Sequence, residues 1–340
     1  MTKEAVLRLL VSSGTFSCFR FFNRGRALIL NYHRFSRDDE PHTTSARMFS
    51  QHLEYLTTYY QVIPPGELAG RLAAGAELPR SLAAITIDDG YQDAYDIAFP
   101  LLRRYRVPAA LFVVTDFVSQ RGWLWTDKLR YLTLCPPART IEIRLNDHSL
   151  TCALLTRASR LAAADRINAL LKRLPDEAKN EAIERIAAQL GVPLPAPPPP
   201  QYRAVSWNQA RELDRHHLAI ESHTVTHPIL TGVDDARLRR ELSESRAQLE
   251  SELHRRVELF CYPNGDHDTR VRKAVAQAGY RCAVTTEPGL VHRRSDPLAL
   301  RRVHSESDLA HFVQSTCGFE QLKNRFRTVQ NGTAGEQVYG

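Results

Sequence analysis

Short apolar runs, several of them rich in β-branched residues, alternate with helix-like stretches over most of this chain, a pattern few folds can accommodate. Strand-like runs fall at residues 27–31, 82–87, 109–114, 218–221, 257–261 and 282–285, with helix-like segments at 45–59, 93–105, 206–215, 234–253 and 269–279. Strands separated by helices pair in parallel. With 340 residues and 43% hydrophobic content the chain can bury a substantial core, and its length allows one large domain or two. A distorted β/α barrel fits this rhythm.

The rhythm breaks between residues 119 and 204. Long helical periodicity takes over at 157–173 and 176–190, and the stretch closes on four consecutive prolines at 197–200, which favour a stiff extended connector. The expected division is a lead-in at 1–26, a first half-barrel at 27–118, a helical insertion at 119–204, a second half-barrel at 205–322 and a polar tail at 323–340. Trp123 and Trp125 open the insertion and could either stack on a sugar or anchor the insertion to the barrel.

Two carboxylates, Asp88 and Asp89, end the apolar run Leu82-Ala83-Ala84-Ile85-Thr86-Ile87, and Gly90 follows them. They should therefore sit where a buried strand surfaces, the position at which barrel and α/β folds place chemistry. Far along the chain, His223 and His227 stand four apart after the strand-like Leu218-Ala219-Ile220. The Thr224-Val225-Thr226 between them and Pro228 after them make a poor helix, so the second histidine belongs on a loop. One carboxylate and two imidazoles could hold a divalent metal and leave positions open for water, while the other carboxylate stays free to act as a base. The same three donors could equally form the facial triad of a non-haem iron oxygenase, though the adjacent spare carboxylate argues against it. A third segment, Phe260-Cys261-Tyr262-Pro263-Asn264-Gly265, reads as a strand breaking into a tight turn, which could aim backbone N–H groups at a developing oxyanion.

Over residues 28–322 the chain resembles the polysaccharide deacetylases of carbohydrate esterase family four. Thr86-Ile87-Asp88-Asp89-Gly90 is similar to the family's Thr-Phe-Asp-Asp-Gly motif, and His223-Thr224-Val225-Thr226-His227 to its His-Ser/Thr-x-x-His motif. Leu28-Ile29-Leu30-Asn31-Tyr32-His33 resembles the opening strand of the exopolysaccharide branch. The resemblance implies a distorted (β/α) barrel with a helical insertion, Asp88 as base, and Asp89, His223 and His227 as ligands of a divalent metal, with zinc the expected ion. It also implies that His33 lies at the rim and that Tyr262 and Asn264 meet the substrate. The third motif departs from the family pattern: Cys261 stands where an arginine is usual and Asn264 where a tyrosine is usual. Arg302 could take the missing arginine's part. The closing Leu-x-His motif, which supplies the general acid, has no clean counterpart; His304 is preferred over His292 because it follows a strand-like run. The implied reaction is removal of an N-acetyl group from an amino sugar in a bacterial polysaccharide or its lipid-linked precursor. The eroded third motif leaves a catalytically silent carbohydrate-binding relative as the alternative.

Composition narrows the setting. Mean hydropathy is −0.35 and no apolar run approaches the 18 or so residues of a spanning helix, so no membrane span is expected. The six cysteines are scattered without a Cys-x-x-Cys pair, which fits free thiols and a cytoplasmic location rather than a disulfide framework. The net charge of +7 gathers in basic clusters near 20–26, 237–240 and 293–302, which could give peripheral contact with the inner membrane face. Nothing resembles a nucleic-acid module.

Overall fold

The computed structural model describes residues 9–319 apart from 10–12, 14, 24, 136, 146 and 147; half of the expected lead-in and the whole of the polar tail lie outside the described residues. Seven parallel strands close into a barrel: β1 Arg26–Tyr32, β2 Leu82–Ile87, β3 Ala109–Val113, β4 Leu218–Ser222, β5 Leu259–Cys261, β6 Cys282–Pro288 and β7 Leu300–His304. Closure comes from β1, which pairs with β2 over six residues and with β7 at Leu30↔Val303 and Asn31↔His304. The expected (β/α) barrel of the polysaccharide deacetylase type is thus the architecture found. β7, Leu-Arg-Arg-Val-His, is the strand-like run that leads to His304, although its charges set it apart from the apolar strands of the barrel.

Both faces of β2 and β3 are fully buried and those of β1 nearly so, which is why these sequences run apolar. Along β1, Leu28, Leu30 and Tyr32 face the surrounding helices, while Ala27 and Ile29 join Ala84, Phe112, Leu259 and Val284 in a second cluster that fills the barrel. The helix Pro65–Ala73 contributes Leu68, Ala69 and Leu72 to the same cluster. Its apolar stripe thereby plugs one end, and the strands' C-terminal ends are left for chemistry.

Between β3 and β4 the chain builds a separate apolar cluster. It comprises α1 Trp125–Leu134, α2 Arg157–Leu171 and α3 Asp176–Leu190, packed with an antiparallel hairpin of Thr140–Leu145 and His148–Ala153. The two long helices fall where their periodicity places them. The hairpin is a new element: Thr-Ile-Glu-Ile-Arg-Leu has the period-two alternation of a half-buried strand, overshadowed in the sequence by the helical runs beyond it. Trp125 is buried in this cluster and Trp123 packs against Tyr131 and Tyr202, so both tryptophans anchor the segment. Among the described residues, no helix is long and apolar enough to cross a membrane.

Candidate metal centre and active site

The C-terminal ends of five barrel strands deliver the site. Asp88 and Asp89 follow β2, His223 follows β4, Cys261 and Tyr262 end β5, Thr286 lies in β6, and Arg302 and His304 come from β7. A cavity of about 250 Å³ opens above them, lined on the barrel side by His33, Asp88, Asp89, His223, His227, Tyr262 and Asn264. His304 is not among its lining residues.

Asp89 is aimed by its backbone. Its φ of 76° is left-handed, a conformation few non-glycine residues adopt, and Gly90 follows at 89°, so the chain turns sharply off the strand. A side chain at 90 would press on Val113 at 3.0 Å. On the other side of the site Thr224 and His227 are also left-handed, at 71° and 61°. The loop between the histidines is held by Glu241 of α4 Asp235–Leu253, whose carboxylate accepts from Val225 N at 2.8 Å, Thr226 N at 2.9 Å and Thr226 Oγ1 at 2.5 Å. This buried glutamate carried no signal in the sequence, where it is one of many charges on a polar helix.

The result is a compact donor set. The Nε2 atoms of His223 and His227 lie 3.1 Å apart, and Asp89 Oδ1 is 3.4 Å and 3.5 Å from them. Donors about 2.0–2.2 Å from a tetrahedral zinc stand roughly 3.3–3.5 Å from one another, so this triangle fits one face of such a site. His223 Nδ1 donates to the Cys261 carbonyl at 2.8 Å, which leaves its Nε2 lone pair pointing at the other donors. Burial pushes the His227 imidazole down to about 3, the neutral form a ligand requires. In His223 burial is outweighed by contacts with Cys261 and Asp89, which raise it, so the proton that an ion would displace sits on His223. Two imidazole lone pairs facing one carboxylate at these distances need a cation or a proton between them.

Asp88, His223 and Cys261 also lie close enough to hold an ion. That cluster is already answered by a cation. Arg302, fully buried, donates from Nη1 to Asp88 Oδ1 and from Nη2 to Asp88 Oδ2, both at 2.8 Å, and its Nη2 lies 3.3 Å from Cys261 Sγ. Further bonds run from Nε to the Thr285 carbonyl at 2.7 Å and from Nη1 to Thr86 Oγ1 at 3.0 Å. Burial alone would raise the Asp88 carboxyl; the Arg302 guanidinium, helped by His33, outweighs it and holds the group well below the usual carboxylate range. The small Cys261 leaves the room that the guanidinium fills from two strands away.

The third motif forms its turn as Pro263–Gly265, with Asn264 at φ 60°. Gly265 is obligatory there, since a Cβ would lie 2.0 Å from Thr286 Oγ1 and 2.6 Å from Thr286 N. The Tyr262 amide donates to Val284 and that of Gly265 to Tyr262, which leaves the Asn264 N–H as the amide the turn can offer. The Tyr262 hydroxyl is spent on the Leu298 carbonyl at 2.8 Å, so only its ring meets the cavity. His33 Nε2 is 3.6 Å from Asp88 Oδ2. His304 Nε2 donates to the Thr286 carbonyl at 3.2 Å, at the edge of the site.

Relatives carry the same architecture. The chain is 22% identical to YxkH of Bacillus subtilis (strain 168), named as a candidate polysaccharide deacetylase, over 81% of this chain and 70% of that one. The fold matches the deacetylase PplD of Streptococcus pyogenes, solved in complex with acetate, with a TM-score of 0.58 at 17% identity over 86% of this chain and 98% of that one. IcaB from Ammonifex degensii gives 0.56 at 19% identity over 86% and 97%. Residues 75–283 match the polysaccharide deacetylase family as a whole, from the strand that leads to Asp88 to the one that follows the third motif, and the chain belongs to that family.

Proposed function

We propose that this protein is a metal-dependent hydrolase that removes N-acetyl groups from an amino sugar in a bacterial polysaccharide or its lipid-linked precursor. The observation that carries the reading is the triangle of Asp89, His223 and His227 donors beside a second, separately held carboxylate. A divalent ion held by those three residues, zinc by the donor set, would polarise the amide carbonyl and make a bound water acidic near neutral pH. Asp88 takes the proton of the attacking water. Its pairing with Arg302 makes it a weak base, which suffices only for a water already acidified, and the same pairing fixes both carboxylate oxygens in place.

The Asn264 N–H stabilises the developing oxyanion, a contribution of about 3 kcal/mol for one well-placed donor. A histidine then protonates the departing amine. The sequence offers His304 for this step. His33 is the second reading, favoured by its place on the cavity wall and its 3.6 Å approach to Asp88. The products are acetate and a free amino sugar.

The test is acetate release from N-acetylhexosamine oligomers and lipid-linked sugars. Asp88→Asn is expected to keep its metal and lose most activity, and Asp89→Ala to lose both, read by metal analysis and turnover on the same preparations. An active Asp88→Asn enzyme would overturn the assignment of the base. Metal and sugar binding without any turnover would instead mark a silent carbohydrate-binding relative, and turnover that requires oxygen and Fe(II) an oxygenase.

A further inference from the structure

The wall of the cavity facing the metal-binding donors is built by the segment between β3 and β4, and its charge is unlike that of the barrel side. Arg130 of α1 and Lys172 at the C-terminal end of α2 both line the cavity. Among the described residues neither has a carboxylate within ion-pairing distance, whereas Arg121, Arg144, Arg157 and Lys179 of the same segment, none of which lines this cavity, are matched by Asp116, Glu142, Glu40 and Asp176. Arg34, on the same wall, is already committed to Asp93 at 2.7 Å and lies 3.9 Å from Asp127. Asp127 itself accepts from the Tyr91 hydroxyl at 2.7 Å. Arg130 acts on Asp127 only at longer range, and among the described residues neither it nor Lys172 has an ion pair in contact.

A cation at the end of α2 suits the helix dipole, which accounts for Lys172 without a ligand. That argument does not reach Arg130, which sits in the middle of α1, half-buried beside the cavity. A third sign of a missing partner lines the same cavity. The side-chain oxygen of Asn168 is buried on the cavity lining without a hydrogen-bond donor. A buried acceptor left open beside two cations with no ion pair in contact calls for a ligand carrying both a hydroxyl or amide donor and a negative charge.

We propose that this wall is a subsite for an oxyanion carried by the substrate, with Arg130 and Lys172 binding a phosphoryl group attached to the acetylated sugar and Asn168 accepting from a neighbouring sugar hydroxyl. The inference rests on the deacetylase reading only for the identity of the sugar. The phosphoryl group could belong to a sugar 1-phosphate, a nucleotide-linked sugar or a polyprenyl diphosphate carrier, and the subsite chemistry is common to all three.

Calorimetry on the intact protein with N-acetylglucosamine, its 1-phosphate and its uridine diphosphate conjugate reads the subsite without turnover, and vesicles containing a polyprenyl diphosphate sugar supply the lipid arm. The phosphorylated ligands are expected to bind at least tenfold tighter than the neutral sugar at low salt. That preference should fall by tenfold or more in Arg130→Gln/Lys172→Gln, and should weaken with added salt as exposed charges are screened. The arm that binds tightest names the source. Equal affinity for neutral and phosphorylated sugars in the parent protein overturns the subsite, as does a preference that survives both substitutions. A parent that binds the phosphorylated sugars selectively yet releases no acetate from any of them keeps the subsite and defeats the deacetylase reading.

Discussion

Asp88 and Arg302 show how one residue can restore a motif from another strand. The guanidinium arrives from β7, meets both carboxylate oxygens and fills the space beside Cys261, where a longer side chain would collide with it. Lysine cannot reproduce the two parallel bonds. Arg302→Lys should therefore fold but lower kcat/KM about 100-fold if Asp88 is the base proposed above, because a base displaced by about 1 Å loses its alignment with the attacking water; steady-state kinetics check this. Arg302→Met should go further and cost about 3–5 kcal/mol in chemical unfolding, since it strands a buried carboxylate. Only the family resemblance offered Arg302 as the replacement for the base's usual arginine partner, because nothing in a local pattern reports that residues 88 and 302 face the same barrel interior.

Helix α4 has a similar hidden task. Its Glu241 is nearly fully buried and accepts three hydrogen bonds from the loop between the two histidines, and Arg237, one turn earlier, approaches Glu241 at 3.8 Å while reaching Asp176 and Glu177 of α3 at 2.5 Å. A loop with two left-handed residues needs such support to hold ligand geometry. Glu241→Gln should weaken metal binding by about 10- to 100-fold, the usual cost of losing support behind a metal ligand, measured by competition with a chelator. In Glu241→Ala the Val225 and Thr226 amides should also lose protection in hydrogen exchange. Unchanged protection would show that the loop holds itself.

Across the whole molecule, the junction between barrel and inserted segment carries a buried acid, Asp127. Burial pushes its carboxyl up to about 6 against the opposing pull of Arg34, the Tyr91 hydrogen bond and Arg130, with Asp89 adding a push in the same direction as burial. A carboxyl raised on folding gives stability that is complete below its unfolded value near 3.9 and is lost as pH rises through about 6. Asp127→Asn should therefore gain on the parent by about 2–3 kcal/mol between pH 3 and 7, seen by thermal unfolding at a series of pH values; a constant difference across that range would show that Arg34 and Tyr91 fully compensate the buried charge. The strand and helix rhythm, the Asp-Asp-Gly and His-x-x-x-His motifs and the two long helices after residue 156 could all be read along the chain, because each depends on neighbours within a few residues. Arg302 and its place on the charged closing strand could be offered only through the family resemblance, and the hairpin after residue 139 and the glutamate behind the histidines could not be read at all. Their partners lie far away in sequence, and only closure of β1 onto β7 and the docking of α1 to α3 over the barrel bring them together, where burial and charge pairing settle which contacts form.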